Sequence, residues 1–260
     1  MDTVSPLKCP WPAEAPEGFK FVGFIDILGF SNRVLNAPER VITEYQEFCE
    51  LLLSDDLDLP VELTVYSDAI MIVSDKLAAI AHVAQSVCFF ALIHNLVVRG
   101  GVSYGRFWSK AHAKGLMVVS EALVRAVQLE SEIGHPAIVF DQTIDFPDAF
   151  WAPHLVDPQQ NVTRSVIHFD GLNIVNPFNG YWFRTSRTRI LGRLKEATQP
   201  KHRAKYEWFL RLWDAMNKVE PMVPVGVADR LVEAGVLTGA PSDQPVASVE
   251  QTYRISPDDL

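Results

Sequence analysis

Asp26 stands in "FVGFIDILGF", an almost unbroken apolar run from Phe21 to Phe30, and Asp68 stands in "YSDAI" between two further apolar stretches. A carboxylate kept in core-forming sequence is costly unless a cation, a metal or a proton neutralises it. The other use of Asp26 would be as a strand-end cap for the next helix. Two carboxylates that converge repel each other unless one is protonated or a divalent ion lies between them. A carboxylate pair bridging two Mg²⁺ or Mn²⁺ ions is the apparatus of in-line attack on a nucleotide phosphorus, one ion acidifying the attacking hydroxyl and the other holding the phosphates. Gly29 lets the chain turn tightly after Asp26. The N–H groups of Ile27 to Ser31, those of Gly29 and Phe30 among them, then point from a helix start toward a bound anion.

The elements that must position these groups follow from periodicity. Phe19 to Leu28 is a strand, and Ser31 to Leu53 carries apolar residues at helical spacing: Val34, Val41, Ile42, Tyr45, Phe48 and Leu52. "VELTVYSDAIMIVSD" is a hairpin turning at Asp68, and Leu77 to Val97 is a second long helix. "VVRGGVSYGRFW" is a strand flanked by glycines, Ser120 to Glu132 a helix and "PAIVFD" a strand. This order predicts an α+β fold, a ferredoxin-like split βαβ core with helices on one face of the sheet. In such a sheet the first strand neighbours the hairpin, so Asp26 and Asp68 meet at one sheet edge. The expected organisation is an irregular arm at 1–18, a core at 19–141, an extension packed on it at 142–240 and a tail at 241–260. Within the extension, "FPDAFWAPHLVDPQQNVT" is a loop, "RSVIHFDGLNIVNPF" one or two strands, and Arg187 to Val219 helical with a break near Pro200. That last segment is basic (Arg184, Arg187, Arg189, Arg193, Lys195, Lys201, Arg203, Lys205). It is either a solvated face or a clamp for polyphosphate or a partner.

Composition removes several classes. At 260 residues and 48% hydrophobic, the chain can bury a full core. A formal charge of -9 opposes a nucleic-acid or anionic-membrane coat. Three scattered cysteines (9, 49, 88) and seven histidines without His-x-x-x-His spacing point away from disulfides and zinc, toward a reduced, cytoplasmic setting. No secretory leader is expected from "MDTVSPLKCPWPAEAPEG". Leu77 to Val98 holds His82, Gln85, Ser86, His94 and Asn95, which makes it a core helix rather than a membrane span. No Walker loop or Gly-x-Ser-x-Gly is present, and Leu28 stands where an aspartyl-phosphate phosphatase would carry its second Asp.

Taken together, "FIDILGFS", "YSDAI", "RGGVSYG" and "SEALVRAVQLES" resemble the class III nucleotidyl cyclases over about residues 20 to 141. The wording is most similar to the bacterial pyrimidine (uridylate or cytidylate) cyclases of the Pycsar anti-phage defence systems. The resemblance implies two Mn²⁺ or Mg²⁺ ions per site on Asp26 and Asp68, with the Ile27 carbonyl adding a ligand. It implies phosphates held on the Gly29–Phe30–Ser31 backbone and a homodimer with its sites at the interface. The product would be a cyclic nucleotide, a second messenger that acts on a separate effector.

The chain departs from the family in two places. Where adenylate and guanylate cyclases carry an Asn and a transition-state Arg four residues apart, it has Val124 and Gln128. Charge developing on the α-phosphate still calls for a fixed donor. The candidates are Arg99, whose other use is to hold a strand-end carbonyl, and Arg125, whose other use is an i, i+4 ion pair with Glu121. Where purine cyclases carry a base-reading Lys, Thr64 stands here, with Tyr66 beside it. A short hydroxyl and an aromatic suit a small base, a pyrimidine rather than a purine, without choosing between uracil and cytosine; the expected reaction is UTP to 3',5'-cyclic UMP and pyrophosphate. CTP as substrate, a purine cyclase with an altered pocket and a catalytically inert nucleotide-binding module are the alternatives.

Overall fold

The computed structural model describes residue 15, residues 17–54 and 61–142 and, with short gaps, 144–178, 183–217 and 222–233. Most of the expected arm, and all of the tail, lie outside the described residues. Strand β1 (Phe19–Ile27) is the centre of the core because both its faces are covered: Phe21, Ile25 and Ile27 are buried on one side and Val22 on the other. It pairs antiparallel with β3 (Ala69–Ser74) and with β4 (Val98–His112). Strand β2 (Glu62–Tyr66) closes the hairpin with β3 across Ser67 and Asp68, with Ser67 in the left-handed region at φ 54°.

Between β1 and β2 the expected single helix is two, α1 (Phe30–Asn36) and α2 (Pro38–Leu52). Pro38 has no N–H to continue α1 and forces Ala37 out of helical geometry, to φ -150°, while serving as a good first residue for α2. Helix α3 (Leu77–Ile93) buries eleven residues around its circumference, which explains its span-like hydropathy. No helix among the described residues is long and apolar enough to cross a membrane.

Strand β4 runs on into a ribbon with β5 (Gly115–Ser120), and α4 (Glu121–Glu132) then crosses back to β6 (Ile138–Phe140), which lies parallel to β4. Ser120 starts α4: its Oγ accepts the Leu123 N–H at 3.0 Å and donates to the Arg106 carbonyl at 3.0 Å. A small pair, β7 (His154–Leu155) and β8 (Val162–Thr163), precedes the hairpin of β9 (Val166–Phe169) and β10 (Leu172–Val175). The sheet order is β2-β3-β1-β4-β6-β10-β9, with β5 paired to β4. The first four strands are the split βαβ arrangement, so the α+β class and its core stand as expected.

Helices cover both faces of the sheet rather than the one face expected. Helices α2 and α3 pack with Phe21, Ile25 and Ile27, whereas α4 packs with Val22 and Val73 on the opposite face, because successive strand residues point to opposite sides. Gly101 permits that: a Cβ there would lie 2.5 Å from the Ala126 carbonyl oxygen and 2.6 Å from Leu129 Cβ. Helices α5 (Phe183–Glu196) and α6 (Pro200–Asn217), broken at Pro200 as expected, form a second core with β9 and β10 around Ile190, Trp208, Phe209 and Leu212. A short α7 (Val227–Glu233) follows.

Candidate active site

Asp26 is the last inward-facing residue of β1 on the α4 side of the sheet, opposite Ala69 on β3 and Arg99 on β4. The N–H of Ile27 donates to the Asp68 carbonyl at 2.9 Å, which fastens the hairpin turn to the end of β1. Asp26 and Asp68 therefore line one cavity of about 510 Å³, together with Ile27, Gly29, Phe30 and Ser31. Asp26 does not cap the helix that follows. That position belongs to Gly29, in the left-handed region at φ 71°, where a side chain would be strained.

Electrostatics mark Asp26 as an acid held against its preference. Burial pushes its carboxyl above the ordinary value of 3.8; the Arg99 guanidinium opposes this, and the Asp68 charge reinforces it. Arg99 Nε donates to Asp26 Oδ2 at 3.3 Å, and its Nη2 lies 2.5 Å from Glu130 Oε1 on α4. Glu130 is likewise raised, first by burial, with Arg99 opposing and Asp26 adding to it. One guanidinium thus serves two carboxylates, the half-buried Asp26 and the buried Glu130, rather than a strand-end carbonyl. Arg125 is held by Glu121 on its own helix, and its Nη1 reaches the Tyr104 carbonyl at 3.5 Å. Arg99, Arg125, Thr64 and Tyr66 do not line the cavity. Thr64 and Tyr66 are exposed on β2, on the sheet face that carries Asp26 through the register Tyr66–Ala69–Asp26.

The cavity has a second wall that sequence reasoning did not assign. The α5–α6 corner contributes Arg193, its ion-pair partner Glu196, Gln199, His202 and Tyr206, while Arg33 and Asn95 close the side between. Arg193 Nη2 donates to the Asn95 carbonyl, Arg189 Nη1 to the Ile93 carbonyl and, at 3.0 Å, to Asn95 Oδ1. The corner after α3, where Asn95 takes φ 56°, thus anchors the C-terminal helices over the end of β1. The only sequence signal of this wall is the basic run itself, since nothing local says which surface it faces.

The donor set fits hard divalent cations. Two carboxylates interact across one open cavity, one of them raised by burial and by the other's charge, so a cation between them relieves both penalties. Among the described residues no group of three or more His, Cys, Asp or Glu gathers as a metal site, which leaves any further ligands to backbone, water or a bound phosphate.

No family model matches the chain, and no curated protein matches it. Among solved structures it is similar to an adenylate cyclase from Trypanosoma brucei in its monomeric state, at 15% identity and a TM-score of 0.42, covering 63% of this chain and 93% of that one. It is also similar to the non-canonical dimeric guanylyl cyclase domain of the RhoGC fusion protein from the aquatic fungus Blastocladiella emersonii (15%, 0.40, 60% and 94%). A third is an adenylyl cyclase from P. aeruginosa (13%, 0.37, 61% and 94%). Likeness at this distance carries no weight for the activity, which is read from the chain's own residues.

Proposed function

We propose that the chain is a nucleotidyl cyclase that converts UTP to 3',5'-cyclic UMP and pyrophosphate. The observation that supports this is the meeting of Asp26 and Asp68 in one cavity, beside a glycine turn and beneath a cationic wall. The 3'-hydroxyl oxygen attacks the α-phosphorus, the bond to the β-phosphate oxygen breaks, and the hydroxyl proton leaves to solvent. Two Mn²⁺ or Mg²⁺ ions, held by Asp26, Asp68 and the Ile27 carbonyl, would supply charge neutralisation and a more acidic hydroxyl. The backbone from Gly29 through Phe30 to Ser31 orients the phosphates. Both arginines are ion-paired, but Arg99 is held beside Asp26 at the end of β1 and is better placed than Arg125 to meet charge on the α-phosphate once substrate competes for it. Thr64 and Tyr66 would read the small base. The setting is a homodimer making a second messenger for anti-phage defence in the cytoplasm, with a separate effector as receiver.

Support for the dimer lies in exposed apolar side chains: Val124 and Val127 on α4, and Trp108, Met117 and Val119 together on one face of the β4–β5 ribbon. The engagement of Arg99 with two carboxylates, together with Val124 and Gln128 in place of the usual pair, favours as second reading an inert nucleotide-binding module. The two separate on Asp68→Ala. A cyclase loses product formation by at least about 10²-fold while keeping its fold. Undiminished turnover in that variant would sink the two-metal scheme, and no turnover in the parent chain with triphosphate binding intact favours the inert module.

A further inference from the structure

Helix α6 presents His202, Lys205 and Tyr206 at spacings of three and four residues, hence on one face, and His202 and Tyr206 from that face line the Asp26 cavity. Lys205 is half-buried on the same helix face, beside the cavity rather than in its lining, and lies near enough to Asp26, Glu130 and Arg99 to feel their charges. Among the described residues neither the Lys205 ammonium nor the His202 ring makes a hydrogen bond or ion pair. The other cations of the wall are engaged: Arg33 pairs with Glu44, and Arg193 with Glu196 and the Asn95 carbonyl. A half-buried ammonium without a carboxylate loses hydration with little return. Burial, Arg99 and Lys201 all push the Lys205 ammonium below its ordinary pKa, against the pull of Asp26 and Glu130. An anion that enters the cavity would relieve that penalty.

Resting on the cyclase reading for the identity of the nucleotide, we propose that α6 is a phosphate clamp: Lys205 and His202, backed by Arg193, bind the β- and γ-phosphates and hold the leaving pyrophosphate. The split core supplies the carboxylates, and the C-terminal helices supply the cations. The placement of α6 is firm. Trp208 stacks on His135 at 4.7 Å and 5°, and its Nε1 donates to Asp170 at 2.9 Å, so the clamp face is fixed one turn from a buried anchor.

The test is calorimetric binding of UTP, UDP and UMP to the full chain, with Mg²⁺ and again with chelator, for the parent, His202→Gln, Lys205→Gln, Lys205→Arg and the double Gln variant. Lys195→Gln, an exposed cation outside the cavity, is the control for general charge. The clamp predicts that the double variant loses about tenfold or more in UTP affinity, keeps UMP affinity, and that Lys205→Arg restores most of the loss. Equal loss for UTP and UMP, an equal loss in Lys195→Gln, or unchanged UTP affinity in a folded double variant overturns it. His202→Gln alone, at an exposed position, keeps the test open if the double variant does not fold. A parent chain that binds UTP through these residues yet forms no cyclic product upholds the clamp and rejects the cyclase reading. A parent chain that does not bind UTP rejects both.

Discussion

Asp26 shows at the scale of one residue how function and stability pull apart. A carboxyl whose pKa rises on folding holds its proton more tightly in the folded chain, so folding loses stability as pH climbs from the ordinary value of 3.8 through the raised one. In chelated protein, Asp26→Asn should therefore raise the thermal midpoint at pH 7, with the gain fading as pH falls toward 3.8, while product formation is lost. A lower midpoint at every pH would contradict the account. Arg99 behaves in the opposite sense, since its removal deprives Asp26 and Glu130 of their shared ion-pair partner. We expect Arg99→Met to cost about 1–3 kcal/mol in urea unfolding at pH 7 and much less at pH 3, where both carboxyls are protonated.

At the scale of elements, α4 brings Glu130 to Arg99 because Gly101 lets the helix lie directly on the strand backbone. Gly101→Ala places a methyl 2.5 Å from the Ala126 carbonyl oxygen, so α4 must shift. The expected cost is about 1–3 kcal/mol, read from denaturant midpoints, with Glu130 drawn away from Arg99. Much of this frame was legible in the sequence. The apolar alternation of β1, the Tyr66–Asp68 corner and the glycine-flanked β4 gave the split core and, through it, the meeting of Asp26 and Asp68. Three features escaped. The Ala37–Pro38 break was passed over because apolar periodicity runs straight through it, although the proline itself marks the spot. Strand β5 is exposed along most of its length and pairs only with the outer part of β4, so no buried face wrote a pattern into it. The third, the surface that the basic α5–α6 run faces, depends on Arg189 and Arg193 reaching the corner after α3, contacts across 94 to 98 residues that no local signal announces.

For the whole molecule, the exposed apolar surface of α4 and the β4–β5 ribbon sets the expected assembly. Sedimentation should give twice the chain mass of 29.1 kDa. Val119→Glu with Val124→Glu should give monomer with unchanged helical content and, if each site needs both protomers, little activity. A parent chain that sediments as a monomer at micromolar concentration with full activity would remove the dimer from the account. The central claim, that two carboxylates, a glycine turn and a cationic wall together make a cyclase, is tested most directly by its product. Purified chain would be incubated with Mn²⁺ and, separately, ATP, GTP, CTP and UTP, and the products resolved by mass. The account predicts cyclic UMP and pyrophosphate from UTP, with little from the purines. A cyclic purine as main product would contradict the base assignment, and no cyclic product from any of the four would contradict the enzyme.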